Sequence, residues 1–116
     1  ATHDGRPWFG FGASGGRKIM PAVFQLASFA NDFGMDLEAA LAQPRIDISL
    51  VDRIVHDGRL NDATAAALNT VAPSRPWSPT AVPSVFAVPS GAMIDKDGHC
   101  LGGAHIHSPV AGVATA

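Results

Sequence analysis

The segment from Arg6 to Gly34 constrains the fold most, because three different patterns follow one another in it. The residues R-P-W-F-G-F, Arg6 to Phe11, alternate and are aromatic, which predicts a strand that ends at Gly12. From Lys18 the apolar residues recur at helical spacing and predict a helix, buried on most sides and closed by Gly34. The chain must therefore pass from a strand into a helix through the glycine-rich turn G-A-S-G-G.

The rest of the sequence predicts short elements of both types, so the expected fold class is α+β, with mostly antiparallel strands packed on helices. Helices are predicted at Met35 to Gln43 and at Asp62 to Val71, the second capped by Asn61. Strands are predicted at Arg45 to Leu50, Arg53 to His56, Ser84 to Val88, Ala92 to Asp95 and Cys100 to Ile106. The first two strands of this set form a hairpin, and turns at Pro89 to Gly91 and at Asp97-Gly98 join the last three.

Two segments are predicted to lie outside the regular elements. Prolines at 73, 76, 79 and 83 favour an extended loop over residues 73–83, without hydrogen-bonded structure. The small residues of 108–116 predict a frayed tail. At 116 residues the whole chain, 1–116, is expected to be a single domain or a fragment of a larger protein.

Composition argues against two classes of partner and in favour of a third. Eight basic and ten acidic residues, without a long run of either sign, predict no nucleic-acid partner and no anionic membrane surface. No run of about 18 apolar residues is present to span a bilayer. Because 47% of the residues are hydrophobic and only 16% are charged, we expect part of the surface to be covered by another chain.

The glycine-rich turn is the first candidate site. A turn between a strand and a helix directs successive N–H groups into one space, at the positive end of the helix dipole. Gly15 and Gly16 have no side chain, so a substrate carbonyl can approach their N–H groups to hydrogen-bond distance. The turn is therefore a candidate oxyanion cradle, although glycines that merely relieve a tight turn explain the pattern as well.

The same turn fits a different kind of site, since G-A-S-G-G matches the G-x-S-x-G nucleophile elbow with Ser14 as nucleophile. Asp95 and His105 follow in the chain order Ser, Asp, His that α/β-hydrolases use. Length argues against this interpretation, because that fold needs several crossovers of about 30 residues after the elbow. The alternative role for Ser14 is that of a turn serine bonded to its own backbone.

A metal site is a third hypothesis. His99, Cys100, His105 and His107 crowd the last predicted strand, and the last two histidines would face the same side of it. Their C-x₄-H-x-H spacing matches no strong zinc pattern, so we predict neither a metal nor a cofactor. Asp95 and Asp97 belong to D-K-D-G, whose composition is that of a hairpin turn and not of a catalytic carboxylate pair. Cys100 is the only cysteine, so an internal disulfide is impossible.

Three segments together resemble the C-terminal part of the small subunit of γ-glutamyltranspeptidases. They are G-A-S-G-G-R-K-I (Gly12 to Ile19), D-F-G-M-D-L-E-A-A-L-A-Q-P-R-I (Asp32 to Ile46) and G-A-M-I-D-K-D-G-H-C-L-G-G (Gly91 to Gly103). The second segment, a helix that ends in A-x-P-R before a strand, is the most specific. The order of the three segments agrees with the family.

The resemblance implies part of an αββα sandwich of the N-terminal nucleophile hydrolase type. It implies a precursor that cleaves itself, a new N-terminal threonine that attacks γ-glutamyl amides such as glutathione, and transfer of the acyl group to water, an amino acid or a peptide. Gly15 and Gly16 would supply the backbone oxyanion donors. The implied partners are the remainder of the small subunit and a large subunit. The implied location is periplasmic or extracellular, with the cytoplasm left open.

The sequence also departs from the family. The family's threonine nucleophile is expected before the segment matched by Ala1, and Thr2 matches the strand before the glycine pair. The final segment differs from the family at His99, Cys100 and residues 103–107. We therefore expect the isolated chain to be inactive, and we keep a non-catalytic α+β interaction module as the alternative.

Overall fold

The computed structural model describes residues 1–77, 86–105 and 112–114. Its strands are β1 (Thr2–His3), β2 (Arg6–Pro7), β3 (Phe9–Ser14), β4 (Ile46–Asp47), β5 (Ile54–Asp57), β6 (Ser74–Trp77), β7 (Val88–Ile94) and β8 (Cys100–Ala104). Its helices are α1 (Ile19–Asn31), α2 (Leu37–Ala42) and α3 (Asp62–Val71), and a 3-10 turn at Gly16–Lys18 precedes α1. Among these described residues no helix is long and apolar enough to cross a membrane.

The main sheet has the order β3-β7-β8 and is antiparallel throughout. Helices α1 and α2 pack on one of its faces. The alternation of β3 turns Phe9 and Phe11 toward these helices, while Gly10 and Gly12 are exposed. The fully buried core comprises Leu26, Ala30, Leu37, Ala40, Leu41 and Met93. The glycine-rich turn connects the end of β3 directly to the 3-10 turn and α1.

A second sheet has the order β4-β5-β6. The predicted hairpin is confirmed as the antiparallel pair β4 and β5, while β6 pairs with β5 in parallel. The side chain of Gln25 connects this second sheet to α1, which packs on the main sheet. Its Nε2 donates to the carbonyl of Ile46 at 2.7 Å, and its Oε1 accepts from the N–H of Ile46 at 2.8 Å.

The predicted loop over residues 73–83 is wrong in its first part, where Ser74–Trp77 forms β6. Proline lacks an N–H but keeps its carbonyl, so it is tolerated on an edge strand. The carbonyl of Pro73 accepts from Ile54 at 2.9 Å, and that of Trp77 accepts from Gly58 at 2.8 Å. Residues 78–83 lie outside the described residues. So does most of the predicted tail, in which 112–114 form no regular element.

The predicted turn at Pro89 to Gly91 is also wrong, because β7 runs through it without interruption. Pro89 lies in a central strand and contributes its carbonyl, which accepts from the N–H of His105 at 2.9 Å. Gly91 is needed for close approach, since a Cβ there would collide with the ring of Phe11 on β3. The strand that was predicted to end at Gly12 is β3, which extends to Ser14 because β7 pairs with it as far as Val88.

The helix predictions hold better. Pro21 lies in the first turn of α1, and Asn61 caps α3 by accepting from the N–H of Thr64 at 2.8 Å. Helix α1 ends at Asn31, before the predicted stop at Gly34, which has φ 65° in the following turn. The prediction that α1 is buried on most sides is wrong, because Met20 is 76% exposed and Phe24 is 72% exposed.

Candidate functional site

The glycine-rich turn changes the chain direction through two positive φ angles. Gly15 has φ 143° and ψ 20°, and Gly16 has φ 60°. L-residues with a side chain rarely adopt either conformation, which explains the glycine pair. Ser14 ends β3 immediately before the turn, and the 3-10 turn begins at Gly16 and leads into α1. The sequence-predicted order of strand, turn and helix is therefore confirmed.

The turn is open on its outer side. Gly15 and Gly16 are both exposed, and a Cβ added at Gly16 would meet no atom within 4 Å. Within the part of the chain that the structure describes, the loop and turn hydrogen bonds include none donated by either N–H group. Arg17 and Lys18 follow directly, and the first turn of α1 has no acidic residue. The arrangement suits a small anion or a developing oxyanion.

The inner side of the turn lies against Ala87. A Cβ on Gly15 would be 2.8 Å from the Cα of Ala87 and 3.0 Å from its Cβ. Ala87 is buried, and Val88, the next residue, pairs with Ser14. The carbonyl of Ala87 accepts from Nη2 of Arg45 at 3.3 Å. Arg45 is itself only 4% exposed, so a buried guanidinium lies directly behind the segment that supports the turn.

The structure separates the three residues of the serine-hydrolase hypothesis. Ser14 pairs with Val88, whereas Asp95 follows the far end of β7, seven residues later. At about 3.4 Å per residue the two lie roughly 24 Å apart along the sheet. His105 follows β8, and β7 lies between it and Ser14, a separation of about 10 Å across two strand spacings. Ser14, Asp95 and His105 therefore do not form a catalytic triad.

The residues of the metal hypothesis do not converge either. His99 directly precedes β8, Cys100 begins it and His105 follows its end, while His107 is outside the described residues. His99 instead approaches Asp95 and Asp97, and potential ligand atoms of these three residues lie within 4.8 Å of one another. They are mostly exposed and belong to the turn between β7 and β8.

That turn is internally hydrogen-bonded, as its hairpin composition predicts. Oδ1 of Asp95 accepts from the N–H groups of Asp97 at 2.9 Å and of His99 at 2.8 Å. The N–H of Gly98, which has φ 86°, donates to the carbonyl of Asp95 at 3.1 Å. The hydrogen bond from the His99 N–H is the main cause that lowers the pKa of the Asp95 carboxyl. The acceptors of Asp95 thus serve the turn itself.

The fold is of the α+β class, with mostly antiparallel sheets packed on helices and a glycine turn at the end of an edge strand of the main sheet. The family model described as gamma-glutamyltranspeptidase matches residues 1–105. The chain therefore belongs to the gamma-glutamyltranspeptidase family, and the family resemblance of the three sequence segments is confirmed. No curated protein matches the chain.

Solved structures agree on the fold. The gamma-glutamyltranspeptidase of Pseudomonas nitroreducens, in complex with L-DON, is 20% identical with a TM-score of 0.76, and the match covers 100% of this chain and 60% of that one. The T380A mutant of the Helicobacter pylori enzyme is 16% identical with a TM-score of 0.75, over 93% of this chain and 58% of that one. Cephalosporin acylase from Bacillus halodurans is 21% identical with a TM-score of 0.76, over 92% and 20%. The chain thus spans about three fifths of the first two structures.

Two residues near the turn are not apparent as site residues from the sequence. Ala87 carries no motif, because its role depends on the backbone contact with Gly15. Arg45 carries no site motif either, because only the structure shows that this arginine is buried, with 4% of the residue exposed. Its connection to the turn runs through a segment 42 residues away.

Proposed function

We propose that this chain supplies the oxyanion donors of an enzyme that transfers or hydrolyses γ-glutamyl groups, and that the nucleophile comes from outside residues 1–116. The observation that carries this proposal is the turn at Gly15 and Gly16, two exposed residues at positive φ, in a chain of the gamma-glutamyltranspeptidase family. The N–H groups would donate to the tetrahedral oxygen that forms when the γ-glutamyl amide is attacked.

The partners in this proposal are the remainder of the small subunit and a large subunit. The match covers 60% of the Pseudomonas nitroreducens chain, which leaves two fifths of that chain without a counterpart here. Ser14 is then a bystander, since neither Asp95 nor His105 approaches it closely enough to act as its base. Glutathione-type amides are the substrate class that this function implies.

A γ-glutamyl anilide assay tests the proposal in two arms. The isolated chain should release no aniline above the buffer rate, whereas the chain assembled with the other parts of the enzyme should release it. In the assembled enzyme Ser14→Ala should change kcat less than about twofold. Robust turnover by the isolated chain that Ser14→Ala abolishes would contradict the proposal and favour a serine hydrolase.

The second candidate function is a non-catalytic module that binds another protein. Three large apolar side chains favour it, since Met20, Phe24 and Phe33 are between 69% and 76% exposed on or just after α1. Solution mass separates the two candidates. A monodisperse monomer that binds none of the remaining enzyme segments supports a self-sufficient module, whereas assembly with them into an active species supports the enzyme.

A further inference from the structure

Arg45 occupies an unusual position for an arginine. It follows α2, where Pro44 ends the helix, and its side chain is directed into the protein, with 4% of the residue exposed. The carbon of its guanidinium lies 5.9 Å from the centroid of the Phe86 ring. Burial lowers the pKa of Arg45 to about 10, with Asp57 opposing that change, so the side chain keeps its charge at neutral pH.

The guanidinium makes one hydrogen bond to the described residues, from Nη2 to the carbonyl of Ala87. The buried Nη1 makes none with these residues. A buried cation is costly unless its surroundings are fixed around it, so its most direct structural effect is to hold the Phe86-Ala87 segment. That segment is the one against which Gly15 packs.

We infer that Arg45 is a positioning residue for the oxyanion turn and acts through Ala87. The chain of contacts has two steps, from the guanidinium to the carbonyl of Ala87 and from the Cα of Ala87 to the backbone of Gly15. Because Gly15 lacks a Cβ, it lies close against Ala87, and a displacement of Ala87 is transmitted directly to the turn. The A-x-P-R segment and the G-A-S-G-G turn, far apart in sequence, thus form one structural unit.

This inference rests on the proposed function for its kinetic consequence, but its structural part is independent. Arg45→Met removes the hydrogen bond and the charge while it keeps a long apolar side chain. In the assembled enzyme we expect Arg45→Met to lower kcat about 100-fold, the scale expected for a small misplacement of catalytic groups, with KM changed less than about threefold. Arg45→Lys, which keeps a cationic donor, should recover part of the lost kcat.

The matched control is Arg53→Met. Arg53 is exposed, pairs with Asp52 and does not contact the turn, so this variant should leave kcat unchanged. Hydrogen exchange followed by mass spectrometry supplies a readout that a general loss of stability does not reproduce. In Arg45→Met, the peptide that covers residues 14–18 should exchange at least about tenfold faster at the amide of Lys18, which donates to the carbonyl of Gly15 at 3.3 Å, while the amides of residues 94–100 keep their rate. Arg53→Met should change neither segment.

Each outcome decides the inference. Faster exchange confined to residues 14–18, together with a loss in kcat, supports it. Unchanged exchange at residues 14–18, or an equal increase at residues 14–18 and 94–100, overturns it. If Arg45→Met does not assemble, Arg45→Lys is measured in its place for both hydrogen exchange and kcat. A failure of the proposed function gives a different result from a failure of this inference. If the proposed function is wrong, substitutions of Gly15 and Gly16 leave kcat unchanged, while Arg45→Met still accelerates hydrogen exchange at residues 14–18.

Discussion

Two turns of opposite character lie beside the two ends of strand β7. At one end the glycine turn has two exposed residues at positive φ, Gly15 and Gly16, and the loop and turn hydrogen bonds of the described residues include none donated by their N–H groups. At the other end the hairpin turn, Asp95 to His99, also needs a positive-φ glycine, Gly98, but its N–H groups donate back to Asp95. A turn that satisfies its own hydrogen bonds needs no ligand, whereas a turn that leaves its donors exposed is suited to bind one.

The supports of the two turns differ as well. The hairpin turn is stabilised locally, by a carboxylate within its own sequence. The glycine turn is supported from a distance, by Ala87 and Arg45. Such external support leaves the outer face of the glycine turn open, which is what a preorganised oxyanion site requires.

The largest expected effect is that of Gly15→Ala on catalysis. The new Cβ would lie 2.8 Å from the Cα of Ala87, and φ 143° is unsuited to alanine, so the turn must move. In the assembled enzyme we expect kcat to fall about 100-fold or more, as when an oxyanion donor is removed. Steady-state turnover of a γ-glutamyl anilide measures this. If Gly98→Ala, at the opposite end of β7, lowered kcat as much, the contrast between the two turns would be lost.

A smaller effect separates stability from activity. Gly16 and Gly98 have φ 60° and 86° and open space at the Cβ position, so alanine at either costs backbone strain alone. Each substitution should lower the free energy of unfolding by about 1–2 kcal/mol, as measured by urea denaturation. Only Gly16→Ala should also lower kcat, because its methyl group would protrude where the substrate carbonyl must lie. Equal kcat in both variants would mean that Gly16 does not face the substrate.

The smallest expected effect concerns pH and the hairpin turn. The pKa of Asp95 is lowered in the folded chain, mainly by the hydrogen bond from the His99 N–H. Its contribution to stability is therefore fully present above the unfolded pKa of 3.8 and is lost as pH falls through the lower folded value. Asp95→Asn should make the free energy of unfolding depend less on pH below about pH 4, and it should leave kcat unchanged. A wild-type and variant pair with identical urea midpoints from pH 6 to pH 2 would show that the carboxylate does not stabilise this turn.

Local patterns predicted much of this molecule. The strand, turn and helix around Gly15 follow from periodicity and glycine placement, and the cap at Asn61 follows from side-chain chemistry. The elements that were predicted wrongly depend on pairing with distant strands. Pro76 and Pro89 each favour a loop locally, yet both lie in strands. Pro76 lies in the edge strand β6, which pairs on one side with β5. Pro89 lies in β7, where its carbonyl accepts from the N–H of His105.

The candidate site divides in the same way. The sequence predicts the glycine pair, since the required backbone geometry is encoded in the two residues themselves. It cannot predict that Ser14 and Asp95 lie at opposite ends of β7, because that depends on the register of β3 against β7. It also cannot predict the contact of Ala87 with Gly15, which joins residues that are distant in the chain.

The most direct test of the oxyanion role is a crystal structure of the assembled enzyme with a tetrahedral adduct of a γ-glutamyl analogue on its nucleophile. We predict that the adduct oxygen lies about 2.7–3.1 Å from the backbone nitrogens of Gly15 and Gly16. We also expect Arg45 to donate to the carbonyl of Ala87 in that structure. An adduct whose oxygen is bound by other donors, with the glycine turn facing solvent, would contradict the account.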